Sequence, residues 1–165
     1  MTEAGFRALA EVVETVDAEP YLAILEERFG IPPKTFAGHL VFRPNSKHLA
    51  IADRRLVVPE GAETLGIGMP FLYVRMATPR LTTAAAIAFG AAARRNVLDL
   101  DDAEVDDFVA RREFPLRSEE ASKCTGPGWV LARHRGMTVG LGRAKASEAG
   151  LVVVGMVPRS WAARR

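Results

Sequence analysis

A single cysteine in 165 residues, Cys124, rules out an internal disulfide framework and fits a reducing compartment. Long apolar runs are missing too: AAAIAF at 84–89 and LVVVGMV at 151–157 fall well short of the roughly 18 residues that cross a bilayer. The opening MTEAGFRALAEVVE carries acids early and lacks a basic start followed by an apolar block, so no secretory signal is expected and cytoplasm is the default compartment. Phosphate-loop glycines are absent. No G-x-G-x-x-G stands between a strand and a helix, and GAETLGIGMP at 61–70 has no Lys-Ser/Thr ending, which leaves it as a turn before a strand.

Catalytic and metal constellations are equally sparse. His39, His48 and His134 lack the short spacing to cysteine or carboxylate that a zinc site needs, so no metal is expected. Cys124 stands beside Lys123, which could lower its pKa, but no histidine or acid is placed by sequence to complete a nucleophile set. Asp99, Asp101, Asp102, Glu104, Asp106 and Asp107 lack calcium-loop spacing and suit a helix start. No catalytic residue and no cofactor is expected, and the chain reads as a non-enzyme.

What is present is a core-forming composition, 48% hydrophobic and 25% charged, with an uneven charge distribution. From Arg111 onward eleven basic residues face four acidic ones, a net +7, while residues 1–110 carry a net −5. A basic segment joined to an acidic one fits a polyanion-binding part attached to a part with another task. An arginine-rich solvated surface gives the same count.

Periodicity divides the chain in two. Phe6, Leu9 and Val13, then Tyr21, Leu22, Leu25 and Phe29, lie at helical spacing, with Pro20 near the start of the second helix and Gly30 closing it. HLVFRP and KHLAIAD flank Asn45-Ser46 as an antiparallel pair, and MPFLYVRMA at 69–77 is a third strand. TTAAAIAFGAAARR at 82–95 is a threonine-capped helix, although Gly90 costs on the order of 1 kcal/mol relative to alanine. Arg94-Arg95-Asn96 at its end could clamp RNA or cap the helix. NVLDL then reads as a buried strand, and DAEVDDFVARRE as a helix with acids first and arginines last. Past Pro115 the pattern becomes β, with SEEASKCTGPG as a connection. This gives an α+β N-terminal domain over 1–115 and a small all-β domain over 116–165, packed firmly on the first because about 50 residues make a poor independent core.

The stretch GWVLARHRGMTVGLGRAK at 128–145 alternates as a β-hairpin, yet its second arm holds Gly140 and Gly142, followed by Arg143 and Lys145. Glycine inside a strand forfeits packing and backbone entropy. One compensation is close approach of a phosphate-ribose chain to bare backbone, with Arg143 and Lys145 supplying charge. The other is a bulge or tight curvature under a neighbouring side chain.

PGWVLARHRGMTVGLGRAK with LVVVGMVPRSW resembles the closing part of PUA-like RNA-binding domains, and RLTTAAAIAFGAAARRNVLDLDDAEVDDFVARREFPL resembles the segment that precedes it. The relatives are the C-terminal extension of RsmF-type Sun-family RNA cytosine-5 methyltransferases and small ribosome-biogenesis factors of pre-PUA plus PUA architecture. The likeness spans about residues 25–165. It implies a PUA-like pseudobarrel for the C-terminal domain and structured RNA, rRNA or tRNA, as partner. It also departs from the Sun family, since the cofactor-binding domain and catalytic cysteines are not found here.

The resulting expectation is a non-catalytic RNA-binding protein that assists rRNA or tRNA modification or ribosome assembly. Arg133, Arg135, Arg143, Lys145, Arg159, Arg164 and Arg165 would meet phosphates, and Gly140 and Gly142 would allow close approach. Trp129 or Trp161 could stack on an unpaired base; core packing is the other reading of both, and the favoured one for Trp129, which starts a strand. A subunit docking onto a separate methyltransferase or ribosomal protein is the alternative. A hydrolase on the same fold is a third possibility.

Overall fold

Pro20 and Gly30 bound the longest helix of the structure, a computed structural model that describes residues 5–61 and 66–162. That helix, α2 (Glu19–Phe29), has Pro20 in its first turn and ends at Gly30, whose left-handed backbone (φ 65°) no β-carbon opposes. The segment before it differs from expectation. Phe6–Ala8 form strand β1, α1 (Leu9–Val12) is one turn, and Val13 is already extended. Val12, Val13, Thr15 and Val16 form a β-branched run that favours extended chain; Thr15 bridges Phe42, and the Val16 N–H donates to the Val41 carbonyl at 3.2 Å.

β2 (His39–Phe42) and β3 (His48–Asp53) pair antiparallel with His39 opposite Asp53. Their turn is held by Asn45, whose side-chain oxygen accepts from the Lys47 and His48 N–H groups. β4 (Val57–Pro59) pairs with β1, while β5 (Met69–Tyr73) and β6 (Arg80–Leu81) complete a four-stranded sheet ordered β2-β3-β5-β6. α3 (Thr83–Phe89) is capped by the Thr82 hydroxyl, which accepts from the Ala85 N–H, and it tightens into a 3-10 turn at Gly90.

The second sheet takes in more chain than expected. β7 (Val97–Asp99), β8 (Glu113–Pro115), β9 (Gly128–His134), β10 (Met137–Ser147) and β11 (Gly150–Gly155) are ordered β7-β9-β10-β11-β8, with β7 parallel to β9 and the other neighbours antiparallel. This sheet therefore draws β7 and β8 from before residue 116. The chain from β7 onward is sheet-rich but carries α4 (Asp102–Val109) and α5 (Ser118–Ser122), the latter inside the stretch expected to be a plain connection. Glu120 accounts for α5: its side chain is buried and anchors the turn. The β9–β10 hairpin closes through Arg135 and Gly136, both at positive φ (49° and 79°), the geometry of a two-residue turn that matches strand twist.

Strand alternation splits the core over the two faces of this sheet. Trp129, Leu131 and Leu141 pack with Leu25, Phe29, Phe71 and Leu81 of the N-terminal half. Val130, Ala132 and Ala144, one residue out of phase, pack under Phe108, Phe114 and Val153. The halves thus share one core, and no helix among the described residues is long and apolar enough to cross a membrane.

Candidate nucleic-acid interface

The junction of the two halves is polar at one point. Asn96 is buried with left-handed backbone (φ 53°), and its amide nitrogen donates to the Arg28 carbonyl at 2.7 Å. Its amide oxygen accepts from the Thr125 N–H at 2.8 Å. Arg28 replies from α2, donating to the Trp129 carbonyl (2.7 Å), the Thr125 hydroxyl (3.0 Å) and the Gly126 carbonyl (3.3 Å). Burial pulls the Arg28 pKa below its ordinary value, with nearby Cys124 acting the other way. The N–H groups of Arg94 and Arg95 both donate to the Phe29 carbonyl, and the Arg95 guanidinium reaches the Glu26 carbonyl at 2.8 Å. Arg94-Arg95-Asn96 therefore closes the C-terminus of α2 and not that of α3.

Beside this junction lies a recess of about 680 Å³, walled by α2, the 76–79 loop and the 125–129 turn. Trp129 is buried at its floor, with the Arg143 guanidinium 5.4 Å and the Arg80 guanidinium 5.6 Å from the indole centroid. Arg80 also lies 5.3 Å from the Tyr73 ring. Burial lowers the Arg80 pKa; Tyr73 opposes that shift and Arg111 adds to it. Neither Arg80 nor Arg143 has a carboxylate partner among the described residues. Arg80 carries no sequence signal of this role, because a two-residue strand brings it to a tryptophan far along the chain.

Of the described residues expected to bind RNA, Gly140, Gly142 and Arg133 are turned inward. Gly140 and Gly142 are buried and face Phe108 of α4: a Cβ at Gly142 would sit 2.7 Å from its Cε2, and one at Gly140 3.1 Å from Val157. The bare backbone is filled by an aromatic ring, so the expected open rail gives way to packing under a neighbouring side chain. Arg133 is turned inward, donating to the Gly90, Ala93 and Ala91 carbonyls at 2.8, 3.0 and 3.2 Å, where it closes the 3-10 turn after α3. Arg135 pairs with Asp102 at 3.0 Å, and Lys145 with Glu113 at 2.8 Å; both pairs are solvent-exposed. Arg143, Arg159 and Trp161 are exposed, the last two in a 3-10 turn, and Trp161 is half-exposed. Arg164 and Arg165 lie outside the described residues.

The remaining candidates resolve into structure. Asp101 accepts from the Ala103 and Glu104 N–H groups while Glu104 accepts from the Asp101 N–H, a capping box that employs the acidic stretch. His134 contacts the Leu100 carbonyl through Nδ1 at 2.9 Å. Lys123 is engaged by Glu120 and Asp99, and burial pushes the Cys124 thiol up, contrary to the lowered pKa expected from Lys123.

No curated protein matches the chain. Residues 95–149, which build β7 through β10, match the family model of the methyltransferase RsmF PUA domain, so the sheet-rich C-terminal region of this chain is PUA-like in the manner of the RsmF methyltransferases.

Proposed function

We propose that this chain is a non-catalytic RNA-binding protein that assists rRNA or tRNA modification or ribosome assembly in the cytoplasm. The observation that carries the reading is the match of residues 95–149 to the PUA domain of an RNA methyltransferase, a type of module that binds RNA. The net +7 from Arg111 onward and the exposed cations Arg143 and Arg159 support it. Binding to structured RNA should weaken steeply with salt: about five neutralised phosphates give a log-log slope near −4, at roughly −0.7 to −0.9 per contact. A flat salt response removes the electrostatic basis. The pure chain incubated with S-adenosylmethionine and RNA should transfer no methyl group, and detectable transfer overturns the non-catalytic part.

A second reading, docking onto a separate methyltransferase or ribosomal protein, draws on the exposed apolar residues Phe6, Val12, Leu56 and Val57 around the β1–β4 ribbon. Salt-insensitive association with such a partner, lost in Phe6→Ser, would favour it.

A further inference from the structure

The recess over Trp129 combines three properties that point one way. Its walls include apolar Ile24, Met76, Pro79 and Pro127, and its rim carries Arg95 and Arg143 against one carboxylate, Glu27. Its volume, about 680 Å³, lies within the range of small-ligand sites. Arg80, half-buried against Tyr73 and Trp129, has no acid to neutralise it among the described residues, and Arg143 shares the same indole. Buried charges are ordinarily paired, so half-buried Arg80, without a carboxylate and sharing its indole with the exposed Arg143, leaves positive charge that an anion from outside the chain would neutralise. Arg28 is spoken for by three protein oxygens and serves as frame.

An apolar wall beside unneutralised guanidinium groups suits a group with a flat face and a phosphate. A double helix turns its base faces inward and cannot offer that combination, whereas a looped or bulged nucleotide can. Resting on the RNA-binding reading, we propose that this recess receives one unpaired nucleotide of the bound RNA, its phosphate held by Arg143 and Arg95 of the lining, with further charge from Arg80 against the Trp129 ring outside the lining, and its base against the Met76–Pro79 wall. Trp129 acts here as a fixed plate that orients the two arginines. Its own ring is too buried to stack on a base.

The test compares an RNA hairpin carrying one bulged uridine with a fully paired hairpin of equal length, by fluorescence anisotropy at low salt. The intact chain should bind the bulged hairpin about tenfold more tightly, the scale of one base contact. Arg143→Ala should shrink that preference to about twofold, and Thr78→Trp, which fills the recess from an exposed loop position, should do the same. Uridine monophosphate should compete for the bulged hairpin better than inorganic phosphate; equal competition would reduce the recess to an anion site and overturn the nucleotide assignment. Equal binding of the two hairpins by the intact chain, or a preference that survives both variants, sinks the proposal while RNA binding stands. Failure to bind either hairpin overturns both readings together.

Discussion

A β-carbon on Gly142 would lie 2.7 Å from Cε2 of Phe108, closer than real side chains approach. Gly140 and Gly155 border the same ring and its backbone, and Gly142 stands opposite Gly155 across the β10–β11 ladder. Three missing side chains thus let α4 sit on the sheet. Gly142→Ala should cost about 1–3 kcal/mol through overpacking, and Gly142→Val more. Phe108→Leu in the Gly142→Ala background should recover part of the loss, a coupling that urea unfolding of the double-mutant cycle will read. Additive losses would mean the glycines serve something other than this ring.

Asn96 gives a second test. Alanine there strands the Thr125 N–H and the Arg28 carbonyl and forces a β-carbon into left-handed backbone. The expected cost is about 2–4 kcal/mol, from unsatisfied buried groups plus roughly 1–2 kcal/mol of backbone strain. Asn96→Gly loses the same hydrogen bonds without the strain and should be the milder change. If glycine proves as harmful as alanine in chemical denaturation, the positive φ contributes nothing.

Local signals were readable in the sequence wherever the deciding partner lies within a few residues. Pro20 and Gly30 bound α2, Thr82 caps α3, Asp101 with Glu104 opens α4, and Arg135-Gly136 turns the hairpin. Readings failed where the partner is distant. The ring that fills the Gly140–Gly142 gap comes from α4, and the carbonyls that absorb Arg133 come from the end of α3. The place of β7 in the second sheet was hidden because it reaches its partner β9 only by parallel pairing, which leaves no hairpin signature. Of the candidate site, Arg143 was visible as charge, but its meeting with Trp129 and Arg80 follows from tertiary register alone.

Glu120 is buried, accepting from the Asp99 N–H and from the Lys123 ammonium, each at 2.7 Å. The Glu120 hydrogen bond chiefly holds the Lys123 pKa above its ordinary value, with Asp99 adding and burial opposing. A lysine raised in the folded state stabilises below the unfolded pKa and loses that contribution as pH climbs through the folded value. Lys123→Met should cost about 2 kcal/mol at neutral pH, discounted for the partial exposure of the ammonium, because it leaves the buried carboxylate with only the Arg117 guanidinium, 4.0 Å away. Glu120→Gln keeps an acceptor for Asp99 and should cost less. Equal melting temperatures for Lys123→Met and the parent would deny the pair any structural weight.

Burial raises the Cys124 thiol pKa; Arg28 pulls the other way, and Glu120 adds to the rise. The neutral thiol is therefore favoured in the folded chain, and the thiolate, the reactive form, is scarce at neutral pH. Labelling by a disulfide reagent at pH 8 should run at least about tenfold slower in the native protein than in urea. The sign of the stability effect follows from proton binding. As pH rises past the ordinary cysteine range, the unfolded chain releases its thiol proton while the folded chain retains it, so stability falls until the folded pKa is passed. Cys124→Ser should remove that alkaline loss, giving a flatter profile of unfolding midpoint between about pH 8 and pH 10. Native labelling faster than in urea would show a lowered pKa, and with it the activated cysteine that the burial of this side chain argues against.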